Sequence, residues 1–263
     1  LLHAAKGIAQ YAHRARALGA HDRAIDRFIV QALFTTVTNV NFDPERMAEV
    51  LAQAARIRDR IRALYTRACG ERGIEPDPAG AAADWQPAPT LEGLIAQGRD
   101  AGLDPQLQRL GPDALGLQEL LVYGLKGMAA YAHHALVLGV EDPAVAGFIH
   151  EALERIASGP HDVPGLLALC LRCGEVNLRT LELLDRANTG AYGQQVPTQV
   201  RIDPVRGKCI LVTGHDLKDL HELLVQTAGT GINIYTHGEM LPAHGYPALK
   251  KFPHLAGNYG GAW

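Results

Sequence analysis

The stretch K-C-I-L-V-T-G-H-D-L-K-D-L-H-E-L-L-V-Q-T-A-G-T-G-I-N-I-Y-T-H-G, Lys208 to Gly238, decides the fold through its punctuation. Lys208 to Gly214 carries a short continuous apolar run, the texture of a buried parallel strand with Cys209 near its middle. From His215 to Thr227 the leucines at 217, 220, 223 and 224 follow a helical period. Gly229 and Gly231 stop that helix, and Ile232 to Gly238 is a second β-rich run. Strand, helix, strand at this spacing is a βαβ unit. The region from 191 to 263 is therefore predicted to be the first part of a parallel α/β domain, too short to complete one.

A βαβ crossover makes the two strands parallel, so their carboxyl ends share one edge of the sheet. His215 directly follows the first strand, and His237, Gly238 and Glu239 directly follow the second. Ligands of open α/β sheets bind outside those carboxyl ends. An imidazole and a carboxylate are thus predicted to project into one crevice, a donor pair suited to iron, zinc or another borderline metal. Gly214 and Gly238 would let the backbone approach whatever sits there. Each residue also has a plainer reading, because a single His at a strand end is more often a loop or capping residue than a ligand. Asp216 reads as a first-turn residue of the helix, His221 as a helix-surface residue and His244 as a loop hydrogen bonder.

Moving toward the N-terminus, the texture becomes helical and repeats itself. K-G-I-A-Q-Y-A-H-R-A-R-A-L-G from Lys6 recurs as K-G-M-A-A-Y-A-H-H-A-L-V-L-G from Lys126, an offset of 120. At that offset Asp22 matches Asp142, Phe28 and Ile29 match Phe148 and Ile149, and Leu33 matches Leu153. Within the first copy Ile8, Tyr11, Ala12, Ala15 and Leu18 form one stripe ending at Gly19, and Met47 to Leu64 continue the pattern in a further helix. The expected fold class is α plus α/β: duplicated helical bundles, about 1–70 and 91–190, make a helical domain over 1–190. The Pro/Ala/Gly-rich stretch from Gly73 to Thr90 reads as a surface loop between the bundles.

Composition narrows the function classes. A net charge of −3 and a pI near 6.5 give no basic footprint for nucleic acid or an anionic membrane. No apolar run approaches the ~20 residues that span a bilayer. Four cysteines in 263 residues make no disulfide framework, so a cytoplasmic setting is the default. Cys170 and Cys173 have CxxC spacing but sit inside a helical run without a second CxxC, and buried helix residues are the expected reading. The chain starts with Leu1 already in helical pattern and ends on G-N-Y-G-G-A-W, so it is expected to be an internal fragment of a longer protein.

These residues also carry a resemblance. G-K-C-I-L-V-T-G-H-D-L-K-D-L, T-H-G-E-M-L-P-A-H-G-Y-P and L-K-K-F-P-H-L-A-G-N-Y-G-G-A-W closely resemble the hybrid-cluster (prismane) proteins, or hydroxylamine reductases. T-V-T-N-V-N-F-D from Thr36, Y-G-L-K-G-M-A-A-Y-A-H-H-A from Tyr123 and Y-G-Q-Q-V-P-T-Q-V from Tyr192 look like further family segments. The resemblance implies two helical bundles followed by Rossmann-like domains. It implies a hybrid iron–sulfur–oxygen cluster held by one His, one Glu and several Cys, with His215 and Glu239 standing at the His and Glu positions of the motifs. A separate conventional iron–sulfur cluster, [4Fe-4S] or [2Fe-2S], would use N-terminal cysteines that do not occur in this chain. The implied activity is reduction of hydroxylamine to ammonia and water, or of nitric oxide to nitrous oxide, with electrons from a donor redox protein. Glu239 is then the labile ligand, His215 the anchor, and His237 and His244 candidate proton donors. With two hybrid-cluster ligands and no others, the fragment alone is expected to assemble neither cluster and to be inactive. Three other readings stand beside this one: a carbon monoxide dehydrogenase-like enzyme, a mononuclear zinc or iron hydrolase using His215, Glu239 and His237, and a non-catalytic helical scaffold.

Overall fold

A computed structural model of the chain describes residues 1–37, 42–159 and 161–260; the family segments at 36–43 and 249–263 lie partly outside them. In chain order the elements are α1 (Leu2–Ala17), α2 (Arg23–Thr35), α3 (Pro44–Arg72), α4 (Ala81–Asp84), α5 (Leu91–Asp100), α6 (Leu103–Val137), α7 (Pro143–Ser158) and α8 (Val163–Tyr192). Then follow β1 (Lys208–Val212), α9 (Leu217–Thr227), β2 (Ile232–Thr236), a 3-10 helix (Gly238–Gly245), α10 (Pro247–Lys250) and β3 (Leu255–Asn258). The chain divides into two compact units, residues 1–133 with 141–181, and residues 134–140 with 182–263. The whole is mostly helical with one small parallel sheet, the α plus α/β class expected.

Local chemistry sets the helix ends. The Asp22 carboxylate accepts the Ala24 N–H at the start of α2, and Asp142 accepts the Ala144 N–H at the start of α7. Asp43 and Thr90 cap α3 and α5 in the same manner, with Pro44 and Pro143 in first-turn positions whose missing N–H costs nothing. Gly73 closes α3 in the left-handed region, φ 66°. Gly111, φ 76°, followed by Pro112 breaks the path of α6 near its start.

The first unit is built around α1, buried through Ala4–Ala12 and again at Ala15. Its small residues let α3, α4 and α7 come close. Ile8, Ile29, Leu33, Ile61, Leu121, Leu125, Met128, Ile149 and Leu153 fill the core among them. A Cβ added at Gly7 would run into the Ala82 carbonyl, so α1 and α4 touch backbone to backbone there. This corrects the expectation of a plain surface loop over 73–90: α4 sits within it, with Ala82 and Ala83 buried. Four residues cannot hold a helix alone; docking on Gly7 holds this one.

In the second unit the strand order is β1-β2-β3, all parallel. Lys208 pairs with Ile232 and Val212 with Thr236, so β1 and β2 run level from start to end. A bulge between Ile234 and Tyr235 shifts the register against β3. Leu220, Leu224, Ile234, Met240, Ala243, Tyr246 and Leu249 form the core, joined by Tyr192. Two expectations are corrected here. β1 is exposed along almost its whole length, Cys209 included, because it is an edge strand with β2 alone beside it among the described residues. His221 is not a free surface residue: its half-buried ring lies against Tyr192 and Phe252 at centroid distances of 5.8 Å.

Candidate metal centre

The level ends of β1 and β2 bring two loops together. Past β1 the chain passes through Gly214, φ 132°, to His215. The next residue, Asp216, caps α9, its carboxylate accepting the N–H groups of Lys218 and Asp219. His215 is thus held between a strand end and a helix cap. Past β2, the His237 N–H donates to the Val212 carbonyl at 2.9 Å, which extends the strand pairing by one step. Gly238, φ 56°, then turns the chain into the 3-10 helix, where Glu239 is the second residue.

The outcome is direct contact between His215 Nε2 and a Glu239 carboxylate oxygen. Both side chains remain open to solvent, 54% and 57% exposed. An exposed pair of this kind contributes at most about 1 kcal/mol, so backbone placement rather than mutual attraction accounts for the meeting.

The other candidates fall around this pair. His237 Nδ1 lies 3.4 Å from Thr213 Oγ1, linking the two strand ends. His244 is buried, with Nε2 engaged by Thr236 Oγ1 at 2.8 Å, and burial pushes its pKa below the ordinary histidine value. The Thr236 hydroxyl lies 2.9 Å from Asn258 Oδ1. Sequence reasoning missed Thr236 and Asn258; the available signal was a polar residue closing each of two strands. The first turns of α9 are carboxylate-rich. Burial, then Asp216, Glu222 and Asp219, push the Tyr192 phenol up to about 12, and burial with Asp216 and Glu222 raises Asp219.

Three of the four cysteines, Cys69, Cys170 and Cys173, belong to the first unit. Cys69 and Cys173 are buried, and Cys170 Sγ faces the Leu117 carbonyl at 3.5 Å. Burial, with Cys170 beside it, pushes the Cys173 thiol up to about 11, and burial raises Cys170 as well. Such thiols stay protonated and inert. Cys209 is exposed but stands at the opposite end of β1 from His215. Among the described residues no group of three or more His, Cys, Asp and Glu gathers around a metal-sized space. Against an iron–sulfur cluster, which is held chiefly by thiolates, the fit is partial. His215 and Glu239 offer one nitrogen and one oxygen donor, and among the described residues no thiol joins them.

Comparison with known proteins follows the same lines. A family model described as "Prismane/CO dehydrogenase family" matches residues 1–263. A hydroxylamine reductase of Rhodospirillum rubrum is 57% identical over 263 residues, all of this chain and 48% of that protein. One from Burkholderia lata is 55% identical, covering 47% of its length, and one from Syntrophobacter fumaroxidans is 51% identical, covering 48%. The chain spans about half the length of the curated relatives it matches.

Proposed function

The chain belongs to the Prismane/CO dehydrogenase family, and we propose on that footing that it forms part of an iron–sulfur oxidoreductase that reduces hydroxylamine to ammonia and water. Two electrons, delivered by a donor redox protein, and two protons break the N–O bond; the nitrogen leaves as ammonia and the oxygen as water. The observation that carries this reading is the meeting of His215 and Glu239 at the carboxyl edge of the sheet, in a chain similar throughout to hydroxylamine reductases.

His215 and Glu239 are the residues of this chain proposed to hold a hybrid iron–sulfur–oxygen cluster, with thiolates from the rest of the longer polypeptide. When bound, such a cluster supplies stored electrons and exchangeable iron positions for a small N–O substrate. The carboxylate of Glu239 is the donor able to change its mode of coordination and clear space. The imidazole of His215, between a strand end and a helix cap, is the fixed one. His237, beside Thr213 at the same edge, and His244, whose Nε2 is engaged by Thr236, are the candidate proton donors. A conventional iron–sulfur cluster elsewhere in the longer protein completes the proposed electron path.

We assign residues 1–190 to two bundles related by duplication and residues 191–263 to a Rossmann-like domain. In support, Gly19 and Gly139 both take positive φ, and Asp22 and Asp142 both cap a helix, at the repeat offset of 120.

The test uses full-length protein: iron and sulfide content, then hydroxylamine-dependent oxidation of a reduced dye, with nitric oxide as a competing acceptor. Disturbing only the partner of a metal ligand costs about 10–100-fold. His215→Ala and Glu239→Ala are expected to lose at least that much. Wild-type iron content and rate in both variants would overturn the assignment, and stoichiometric zinc without sulfide would replace it with a hydrolase.

A further inference from the structure

The 3-10 helix that carries Glu239 is long for its type, eight residues from Gly238 to Gly245. Runs of this type longer than three or four residues are uncommon because their hydrogen bonds are badly aligned. Pro242 removes a donor from the middle of this one. What returns the segment to the sheet is the side chain of His244, which reaches back eight residues to Thr236 at the end of β2. Thr236 in turn contacts Asn258 at the end of β3. Thr236, His244 and Asn258 are all buried, at 0%, 5% and 7% exposure.

The direction of this chain of hydrogen bonds follows from counting protons. The Asn258 amide nitrogen lies 3.4 Å from the Gly260 carbonyl, which can only accept, so Asn258 Oδ1 faces Thr236. An amide oxygen also only accepts, so the single Thr236 hydroxyl proton goes to it. Thr236 Oγ1 is then left as acceptor, and His244 must donate from Nε2. The reverse order would turn the Asn258 oxygen toward the Gly260 carbonyl and set two acceptors against each other. His244 therefore carries a proton on Nε2, the nitrogen that faces Thr236.

We infer that His244 is a positioning residue: through Thr236 and Asn258 it fixes the turn bearing Glu239 so that the carboxylate meets His215. The inference rests on the proposed role of the His215–Glu239 pair but acts on a contact observable in the chain alone.

The experiment is imidazole NMR on the full 263-residue chain labelled at histidine nitrogens. Wild type should show His244 as the Nε2–H tautomer, and a His215 Nε2 nitrogen resonance displaced by its contact with Glu239. Glu239→Leu, the direct control, should abolish the His215 signature and leave the His244 tautomer unchanged. His244→Leu and Thr236→Val should also abolish it, while His244→Gln and Thr236→Ser, which keep the donor and the hydroxyl, should restore it. Helical content near wild type in each variant separates positioning from unfolding. An Nδ1–H tautomer for His244 in wild type overturns the inference without any variant. So does a His215 signature intact in a folded His244→Leu or Thr236→Val chain, which leaves the reading of the pair standing. Absence of the His215 signature from wild type removes the pair itself.

Discussion

The internal repeat places two glycines in equivalent sequence positions, Gly7 in α1 and Gly127 in α6, and the structure gives them opposite surroundings. Replacing a helical glycine by alanine gains roughly 0.5–1 kcal/mol of backbone entropy and propensity. At Gly127, exposed and with no atom of the described residues within 4 Å of an added Cβ, that gain stands alone. At Gly7, buried, the new methyl meets the Ala82 carbonyl, a backbone group that cannot swing aside like a flexible side chain. Relief requires moving α4, and with it the buried Ala82, Ala83 and the contact of the Arg58 guanidinium with the Trp85 carbonyl. Overpacking of this kind costs about 1–3 kcal/mol, and a rigid backbone obstacle puts Gly7→Ala at the upper end. The steric term wins, and the net change is about 1–2 kcal/mol destabilising. With about 2–4 °C per kcal/mol for a chain of this size, Gly7→Ala should melt several degrees below wild type by helical circular dichroism. Gly127→Ala should melt slightly above it. A Gly7→Ala chain as stable as Gly127→Ala would refute the close α1–α4 approach.

Asp22→Ala and Asp142→Ala each remove a capping acceptor and should cost about 1 kcal/mol; each carboxylate also pairs with an arginine, Asp22 with Arg60 and Asp142 with Arg179, so both losses should shrink in high salt. Unchanged denaturation midpoints in both would overturn the capping assignments. Burial pushes His150 below its ordinary pKa, although its Nε2 faces Asp26 at 3.0 Å, and among the described residues its buried Nδ1 has no partner for a second proton. A histidine depressed in the folded state leaves the unfolded chain binding more protons, so its stability contribution is complete above pH about 6.5 and falls as pH drops below that value. Burial alone would raise Asp26, but hydrogen bonds from His150 and Arg16 outweigh it and hold the carboxyl below the usual range, a contribution lost only below pH about 4. Denaturant melts at pH 7.5 and 5 should therefore show a smaller loss for His150→Gln than for wild type, and equal losses would refute the buried neutral His150.

The meeting of His215 and Glu239 was legible because few physical facts are needed for it. Two parallel strands joined by one helix must end on the same edge, and each residue follows its strand by at most three positions. The buried chain through Thr236, His244 and Asn258 was not legible, because its third member sits on β3, whose L-A-G-N sequence after Pro253 looks like a loop. Only pairing with β2 makes it a strand. β1 misled for the opposite reason: its apolar run has the texture of a central strand, but burial depends on what packs against it, which no local pattern encodes. α4 was hidden in its linker because its stability comes from a glycine some seventy-five residues away, not from its own periodicity.

The exposure of the His215–Glu239 pair bears on what it is for. A buried ion pair resists rearrangement, since removing one partner costs about 3–5 kcal/mol. An exposed one is worth about 1 kcal/mol or less. Such a pair contributes little to the fold, yet the surrounding backbone is strongly specified. Level strand ends, a capped helix immediately after His215, a positive-φ glycine immediately before Glu239 and a buried hydrogen-bonded return through His244 all act on these two positions. Specification without stabilisation is the arrangement ligand residues require: they must be held in place by their surroundings and free to exchange each other for a stronger partner. On the proposed reading the weak contact is what makes the pair available, and the rigid frame is what makes it ready.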